Sequence, residues 1–200
     1  MKKRYFLVSL ISLAFMFAMG CGGSKKVAQP SGDFEVIEDP FQDMTDMSMT
    51  IIDGGGVAAV GQGTSARQDL AKKKAETDAR AGLAQMFNTK VQNMSKQFQE
   101  EIGSAEDSEI NEAFTSVTKT LTSQLLQGAV TKKAKYLRNK ESGQYTAGVV
   151  VAIEPNKVNM SILDELQKKD KKLYERFRAS QAYDELKQEM EEYEEKQENY

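Results

Sequence analysis

One amphipathic stretch, from Ala66 to Ile102, limits what this chain can fold into more than any other feature of its sequence. Its apolar residues recur at intervals of three and four, which is the period of a helix with one buried face. The recurring positions are Leu70, Ala71, Ala75, Ala79, Gly82, Leu83, Met86, Phe87, Val91, Met94, Phe98 and Ile102. Because the side chains on this face are small at the start of the helix and large at its end, we expect its first half to approach a sheet closely. Gly103 and Ser104 are expected to end the helix.

Three segments around this helix are predicted to be strands. Val57 to Gly61 mixes β-branched residues with glycine. Val130 to Tyr136 and Gln144 to Ile153 are expected to form a hairpin through the turn from Asn139 to Gly143. The last strand is apolar at nearly every position, which predicts burial on both faces for part of its length.

Further helices are predicted on either side of the hairpin. Asp107 or Ser108 begins one whose apolar face continues to Gly128. After the hairpin the pattern is helical to the end of the chain, with a change of phase near Ser180. We expect residues 161–200 to form an amphipathic, acidic helix.

The glycines before the long helix do not form a nucleotide-binding loop. Neither phosphate-loop nor dinucleotide spacing is present in the segment from residue 61 to residue 65. We expect Gly63 to allow a tight turn and Thr64 or Ser65 to cap the helix, with Asp69 in its first turn.

Residues 1–20 have the order of a secretory signal peptide: a basic start, an apolar run from residue 5 to residue 19, and a small residue at the end. The apolar run is short for a membrane-spanning helix, which needs about 20 apolar residues. The three residues before Cys21, with Gly20 as the last, resemble the lipobox of bacterial lipoproteins. The alternative is an ordinary signal peptide followed by an incidental cysteine.

Cleavage between Gly20 and Cys21 makes Cys21 the first residue of the mature chain and the predicted site of lipidation. Two or more acyl chains give stable anchoring in a lipid bilayer, at about 0.8 kcal/mol per buried CH₂. Gly22 stands where an Asp would resemble an inner-membrane retention signal. We therefore expect a lipid-anchored outer-membrane protein whose domain is periplasmic or surface-exposed.

Removal of the signal peptide also changes the charge. It takes away three positive charges and no negative one, so the formal net charge of −3 becomes −6. This charge balance argues against binding of lipid headgroups by a polybasic segment and against nucleic-acid binding.

Residues 21–53 are expected to hold the lipidated cysteine and a flexible tether, because glycine, serine and proline occur there without sustained periodicity. The scattered apolar residues from Phe34 to Met49 leave two interpretations, a short strand that binds a partner or a linker. We favour the linker.

The chain contains no His, and Cys21 is its only cysteine. Ser-His and Cys-His catalysis, His-ligated zinc or haem, and an internal disulfide are therefore excluded. No cofactor and no metal site is predicted. The six Glu residues between Glu189 and Tyr200 are expected to form a solvated helix end, since regularly spaced carboxylates on an exposed helix are poor metal cages.

A polar cluster at the start of the long helix is the remaining candidate for a ligand site or an active site. It comprises Arg67, Asp69, Lys72 and Arg80, with Glu76 one turn before Arg80. Such i, i+4 pairs are usually surface ion pairs worth roughly a few tenths of a kcal/mol. We therefore predict no catalytic residue.

Two sequence patterns resemble the Lpp-twenty-type bacterial lipoproteins, whose relatives include flagellar lipoprotein P and the first domain of flagellar protein T. One is the segment from Val57 to Gly63 followed by Ala71, Ala75 and Ala79; the other is the strand from Tyr145 to Glu154. The resemblance covers residues 54–160. It implies an α+β domain in which long helices pack on a small antiparallel sheet, in the order strand, helix, helix, hairpin, helix, similar to dodecin-like or SHS-type folds.

The resemblance also implies an envelope protein without enzymatic activity. The leading hypothesis is a structural or interaction lipoprotein of the outer membrane that binds envelope or flagellar proteins. It is expected to self-associate through a sheet edge and an apolar stripe on the C-terminal helix. The alternatives are a periplasmic accessory regulator of a cell-wall synthase and, less favoured, a small-ligand binder or enzyme.

Overall fold

The computed structural model describes residues 37–104 and 107–198, and the predicted lipidation site lies outside these ranges. The described residues from Glu38 onward form one compact unit of the α+β class. Its described helices and strands are, in order, α1 (Gln42–Asp53), β1 (Val57–Ser65), α2 (Gln68–Glu101), α3 (Ser108–Gly128), β2 (Val130–Arg138), β3 (Tyr145–Ile153), α4 (Pro155–Lys169), α5 (Lys171–Phe177) and α6 (Gln181–Glu198).

The three strands form one antiparallel sheet in the order β1–β3–β2, so β3 is the central strand. β1 pairs with β3 without interruption from Val57, opposite Ile153, to Ser65, opposite Tyr145. β2 and β3 form the predicted hairpin, with Gly143 in its turn at a φ of 71°. β3 is buried on both faces along most of its length, which confirms the prediction from its apolar run.

The small residues of α2 lie against β1, as predicted. An added Cβ at Gly63 of β1 would lie 2.6 Å from both the Ala71 carbonyl oxygen and the Ala75 backbone nitrogen. A Cβ added at Gly61, two residues earlier on the strand, would lie even closer to the Ala79 backbone. These glycines are needed for the approach of strand and helix, so the prediction that Gly63 makes a tight turn is wrong.

The start of α2 also differs from the prediction. β1 continues to Ser65, and the Thr64 hydroxyl hydrogen-bonds with that of Thr146 on β3 at 3.0 Å. Because the sheet uses these residues, neither caps the helix. Arg67 is the N-cap residue instead, without a capping hydrogen bond from its side chain, and Asp69 lies in the first turn as expected.

α2 is longer than the strands it covers. Its 34 residues span about 50 Å, against about 30 Å for a strand of nine residues. Its second half therefore extends beyond the sheet, where its large apolar residues pack with α3 to α6. The ring centroid of Phe177 on α5 lies 5.4 Å from that of Phe98 on α2 and 5.7 Å from that of Phe114 on α3.

The C-terminal part forms three helices rather than the one predicted for residues 161–200. Asp170 begins α5, because its side chain accepts hydrogen bonds from the backbone N–H groups of Lys172 at 2.9 Å and Leu173 at 3.0 Å. Ser180 separates α5 from α6. The turns fold these helices back on α2, so they share its core and are not a separate region after residue 160.

The apolar stripe of these helices is used inside the core. Its residues Leu166, Leu173, Phe177 and Leu186 are each at most 5% exposed. The stripe from Leu163 to Leu186 is therefore not a surplus surface, and self-association stays a prediction.

The predicted tether is also wrong for residues 42–53, which form α1. Phe41 and Met44 are buried against Val150, on the face of β3 opposite α2. A central strand that is apolar on both faces needs a cover on each of them. The apolar residues of this segment supply the second cover, so they are neither a linker nor a strand.

An ion pair fixes α1 to the hairpin. The Asp43 carboxylate lies 2.6 Å from Nζ of Lys133 and 3.0 Å from Nζ of Lys135, both on β2. Hydrogen bonds from Lys133, which has the larger effect, and from Lys135 lower the pKa of Asp43 to about 2. Asp43 therefore stays ionised at neutral pH, and it is shared by two cations.

Candidate docking surface

The α2 face of the sheet is uncovered at β2. Cross-strand partners lie on the same face of a sheet, and Ala134 and Tyr136 pair with Val149 and Ala147. The two β3 residues are buried beneath α2, whereas Ala134 is exposed and Tyr136 is 38% exposed. The helical layer thus ends before it reaches the last strand.

A shallow groove of about 580 Å³ lies between this strand and the first turns of α2. We call it the β2 shelf, and its lining residues are Arg67, Gln68, Asp69, Lys72, Tyr136 and Tyr145. At one end of the shelf the Arg138 guanidinium lies 5.5 Å from the centroid of the Tyr145 ring. The shelf therefore combines aromatic surface with charged groups at its rim.

The two edges of the sheet differ. At β1, the Gln62 backbone N–H donates to Asp78 Oδ2 at 2.9 Å, and Lys74 Nζ donates to the Thr64 carbonyl oxygen at 2.9 Å. Side chains of α2 thus occupy that edge at Gln62 and Thr64. Within residues 37–104 and 107–198, no side chain or strand hydrogen-bonds to the outer backbone edge of β2. β2 is the open edge of the sheet.

Cationic side chains follow this open edge from one end to the other. They are Lys132, Lys133, Lys135, Arg138 and Lys140, the last in the hairpin turn. Lys132 pairs with Glu154 at 2.9 Å, and its hydrogen bond lowers the pKa of that carboxyl. Two further lysines share the single carboxylate of Asp43. Positive charge therefore exceeds negative charge along the strand.

The predicted polar cluster is only partly brought together. Arg67 and Asp69 form an exposed ion pair of 2.7 Å, which lowers the pKa of Asp69, and Lys72 lies beside them on the β2 shelf. Lys72 pairs with Glu76 at 3.5 Å. Glu76 thus takes a different partner from the predicted Arg80.

Arg80 has a separate, structural position. Its guanidinium donates hydrogen bonds to the carbonyl oxygens of Leu126 and Ala129, which satisfies acceptors at the end of α3. It is therefore not available to a site at the β2 shelf.

The acidic C-terminal helix is paired with its neighbours at several points. Glu189 lies 2.6 Å from Lys90 Nζ and accepts from Asn159 Nδ2 at 2.8 Å. Glu194 accepts from Asn156 Nδ2 at 2.8 Å.

In the described part of the chain, no group of three or more acidic, His or Cys side chains is placed to hold a metal ion. None of the described helices is long and apolar enough to cross a membrane.

A second groove, of about 620 Å³, lies between α2 and α3. One of its polar groups is Gln99, whose Oε1 accepts from the Asp107 backbone N–H at 3.0 Å and whose Nε2 donates to Asn111 Oδ1 at 3.0 Å. These bonds hold the start of α3 against α2. The Gln99 side chain thus has a structural role, and β2, with its open backbone edge, is the better candidate for binding.

Sequence reasoning grouped Arg67, Asp69 and Lys72 and predicted β2 as a strand, but it did not assign that strand to the candidate site. Four cationic residues among the nine of β2 were the available signal. Which face of β2 the helices leave open follows only from the strand order and the path of α2.

Comparisons with protein-family models, with curated proteins and with solved structures found no match to this chain.

Proposed function

We propose that this protein is a non-enzymatic, lipid-anchored interaction module of the bacterial outer membrane, which binds other envelope proteins through β2. One observation carries the proposal: β2 combines a free backbone edge with an uncovered, partly aromatic shelf. Exposed strand edges pair readily with other chains unless they are blocked. The edge of β1 is occupied at Gln62 and Thr64, whereas that of β2 is open, so β2 is the better side for binding.

The anchor is the second part of the proposal. A signal peptide followed by a lipobox-like sequence and the only cysteine supports acylation of Cys21. Acyl chains would hold the domain at the membrane without a basic surface, which suits a mature chain that is acidic overall. The domain then presents β2 in the periplasm or at the cell surface.

We also propose membership of the Lpp-twenty-type family, with a dodecin-like or SHS-type arrangement of its sheet and long helix. Support comes from the physical role of the residues that carry the resemblance. Gly61 and Gly63 are the positions where α2 lies closest to β1, opposite Ala71, Ala75 and Ala79. The glycines on the strand and the alanines at a spacing of four on the helix therefore serve the same purpose, since both allow the two backbones to lie close together.

The substitution Cys21→Ser tests the anchor. In bacteria fed an alkyne-labelled fatty acid, we expect the wild-type chain to incorporate the label and to sediment with membranes. Cys21→Ser should lose the label and leave the membrane fraction, because the serine hydroxyl does not replace the thiol in lipid transfer. The matched control, Ser24→Ala, should behave as wild type. Label retained in Cys21→Ser, or membrane association unchanged without label, would contradict the proposed anchor.

A further inference from the structure

We infer that β2 binds an acidic, extended segment of a partner protein, which adds to the sheet as a fourth strand beside β2. This inference rests on the proposed function and names the chemistry of the partner at the same surface. It follows from three properties of β2: its free backbone edge, its excess of positive charge and the β2 shelf.

The backbone edge determines that the partner segment is extended. A strand added to a sheet gains main-chain hydrogen bonds along its length, and alternate side chains supply specificity. In the described residues, β2 offers this edge along its length, whereas Asp78 and Lys74 hydrogen-bond to the backbone of β1 at Gln62 and Thr64 from its outer side. β2 has nine residues with a register shift between Thr131 and Lys133, and its regular part, from Lys133 to Arg138, matches the usual length of a strand.

The charges determine that the segment is acidic. Along β2 and its turn, five cations are accompanied by the carboxylates of Asp43, Glu154 and Glu141. Asp43 already serves both Lys133 and Lys135, so a further carboxylate beside β2 would find a cation that is only partly neutralised. Opposite charges on neighbouring strands stabilise their pairing.

The same charges argue against a second copy of β2 as the occupant. If two copies paired antiparallel about Ala134, Lys133 of each copy would lie directly opposite Lys135 of the other. If they paired about Lys135, Lys132 would oppose Arg138. Like charges directly opposite each other destabilise strand pairing. Edge lysines are a known means of keeping identical sheets apart.

The β2 shelf determines where the side chains of the bound segment lie. Alternate residues of an added strand point to opposite faces. On one face they would reach the shelf, where Tyr136 offers exposed aromatic surface and Arg67 and Arg138 lie at the rim. On the other face they would lie beside Lys133 and Lys135. Acidic residues at alternate positions, with apolar residues between them, match both faces.

Peptide binding to the full chain, purified in detergent, tests this inference. The probe is a synthetic peptide of about nine residues that alternates glutamate and valine. A second peptide has the same charge but contains prolines at its centre, which prevents strand pairing. A third replaces each glutamate with lysine. We expect the first peptide alone to slow amide hydrogen exchange in Val130–Arg138, while exchange in Val57–Ser65 is unchanged.

Charge reversal at the open edge provides the matched variants. The double substitution Arg138→Glu and Lys140→Glu spares the lysines that hold α1, and it should weaken binding of the glutamate–valine peptide about tenfold or more. The control, Lys119→Glu with Lys171→Glu, makes the same change of net charge on α3 and α5 and should change binding less than about twofold.

Several results would overturn the inference. One is a failure of the glutamate–valine peptide to protect β2. Another is equal protection by the proline-containing peptide, which would mean attraction by charge without strand pairing. Protection of β2 that rises with protein concentration in the absence of peptide would identify a second copy as the occupant. None of these outcomes affects the fatty-acid label at Cys21, so failure of the inference and failure of the anchor are distinguishable.

Discussion

Gly61→Ala is expected to destabilise the protein by about 3 kcal/mol or more, or to prevent folding altogether. The new Cβ would lie 2.7 Å from Cα of Ala79, a backbone atom that cannot turn aside as a side chain would. To make room, α2 would have to move away from β1 and lose its contact with the sheet. Urea unfolding followed by circular dichroism measures the loss directly.

Gly54→Ala is the matched control. Gly54 follows α1 with a φ of −84°, and an added Cβ there would lie at an ordinary 3.5 Å from the nearest atom, the Thr50 carbonyl oxygen. Its stability should change by less than about 1 kcal/mol. Equal stabilities of Gly61→Ala and Gly54→Ala would show that α2 does not lie as close to β1 as described.

Phe177→Ala should cost about 3–5 kcal/mol of the free energy of unfolding. The Phe177 ring is fully buried and makes edge-to-face contacts with Phe98, Phe114 and Tyr183. Its removal leaves a cavity where α2, α3, α5 and α6 meet. Calorimetric unfolding should show a lower melting temperature and a smaller enthalpy.

Met160→Ala is the matched control for this second substitution, because Met160 lies on α4 and is 57% exposed. It should alter stability by no more than about 0.5 kcal/mol. A loss at Phe177 no larger than at Met160 would mean that α5 is not part of the core.

The periodic parts of the fold could be predicted from the sequence. The long helix was found because apolar residues at intervals of three and four mark one buried face along its whole length. The β2–β3 hairpin was found because two strand-like runs flank a turn that ends in Gly143. In these segments local pattern and tertiary packing require the same residues, so sequence reasoning and structure agree.

The errors fall where tertiary packing overrides local pattern. Gly63 is typical of a turn when it is considered alone, yet the position is a strand residue that must lack a side chain because Ala71 and Ala75 are close. α1 was missed because its apolar residues form a short cover for β3, and the need for that cover appears only once the sheet exists. Asp170 is a capping residue, but Leu166 and Leu173 on either side of it have helical spacing, so the sequence pattern did not show the break between α4 and α5.

In the candidate site, too, local pattern predicts some residues and tertiary packing decides the others. The sequence pattern brought Arg67, Asp69 and Lys72 together, since they follow one another along the start of a helix. It also grouped Arg80 with them, although this side chain satisfies carbonyl groups at the end of α3. The contribution of Tyr136 depends on strand order, which spacing along the chain does not determine.

Site-specific photo-crosslinking in living cells tests the central claim, that β2 is the surface through which a membrane-anchored module binds its partner. The variants are Tyr136→benzoylphenylalanine on β2 and Met160→benzoylphenylalanine on α4, both positions being exposed. We predict a discrete adduct with another envelope protein from position 136 and none from position 160. This adduct should weaken with Arg138→Glu and Lys140→Glu, and disappear with Cys21→Ser. No adduct from position 136, or the same adducts from both positions, would contradict the account.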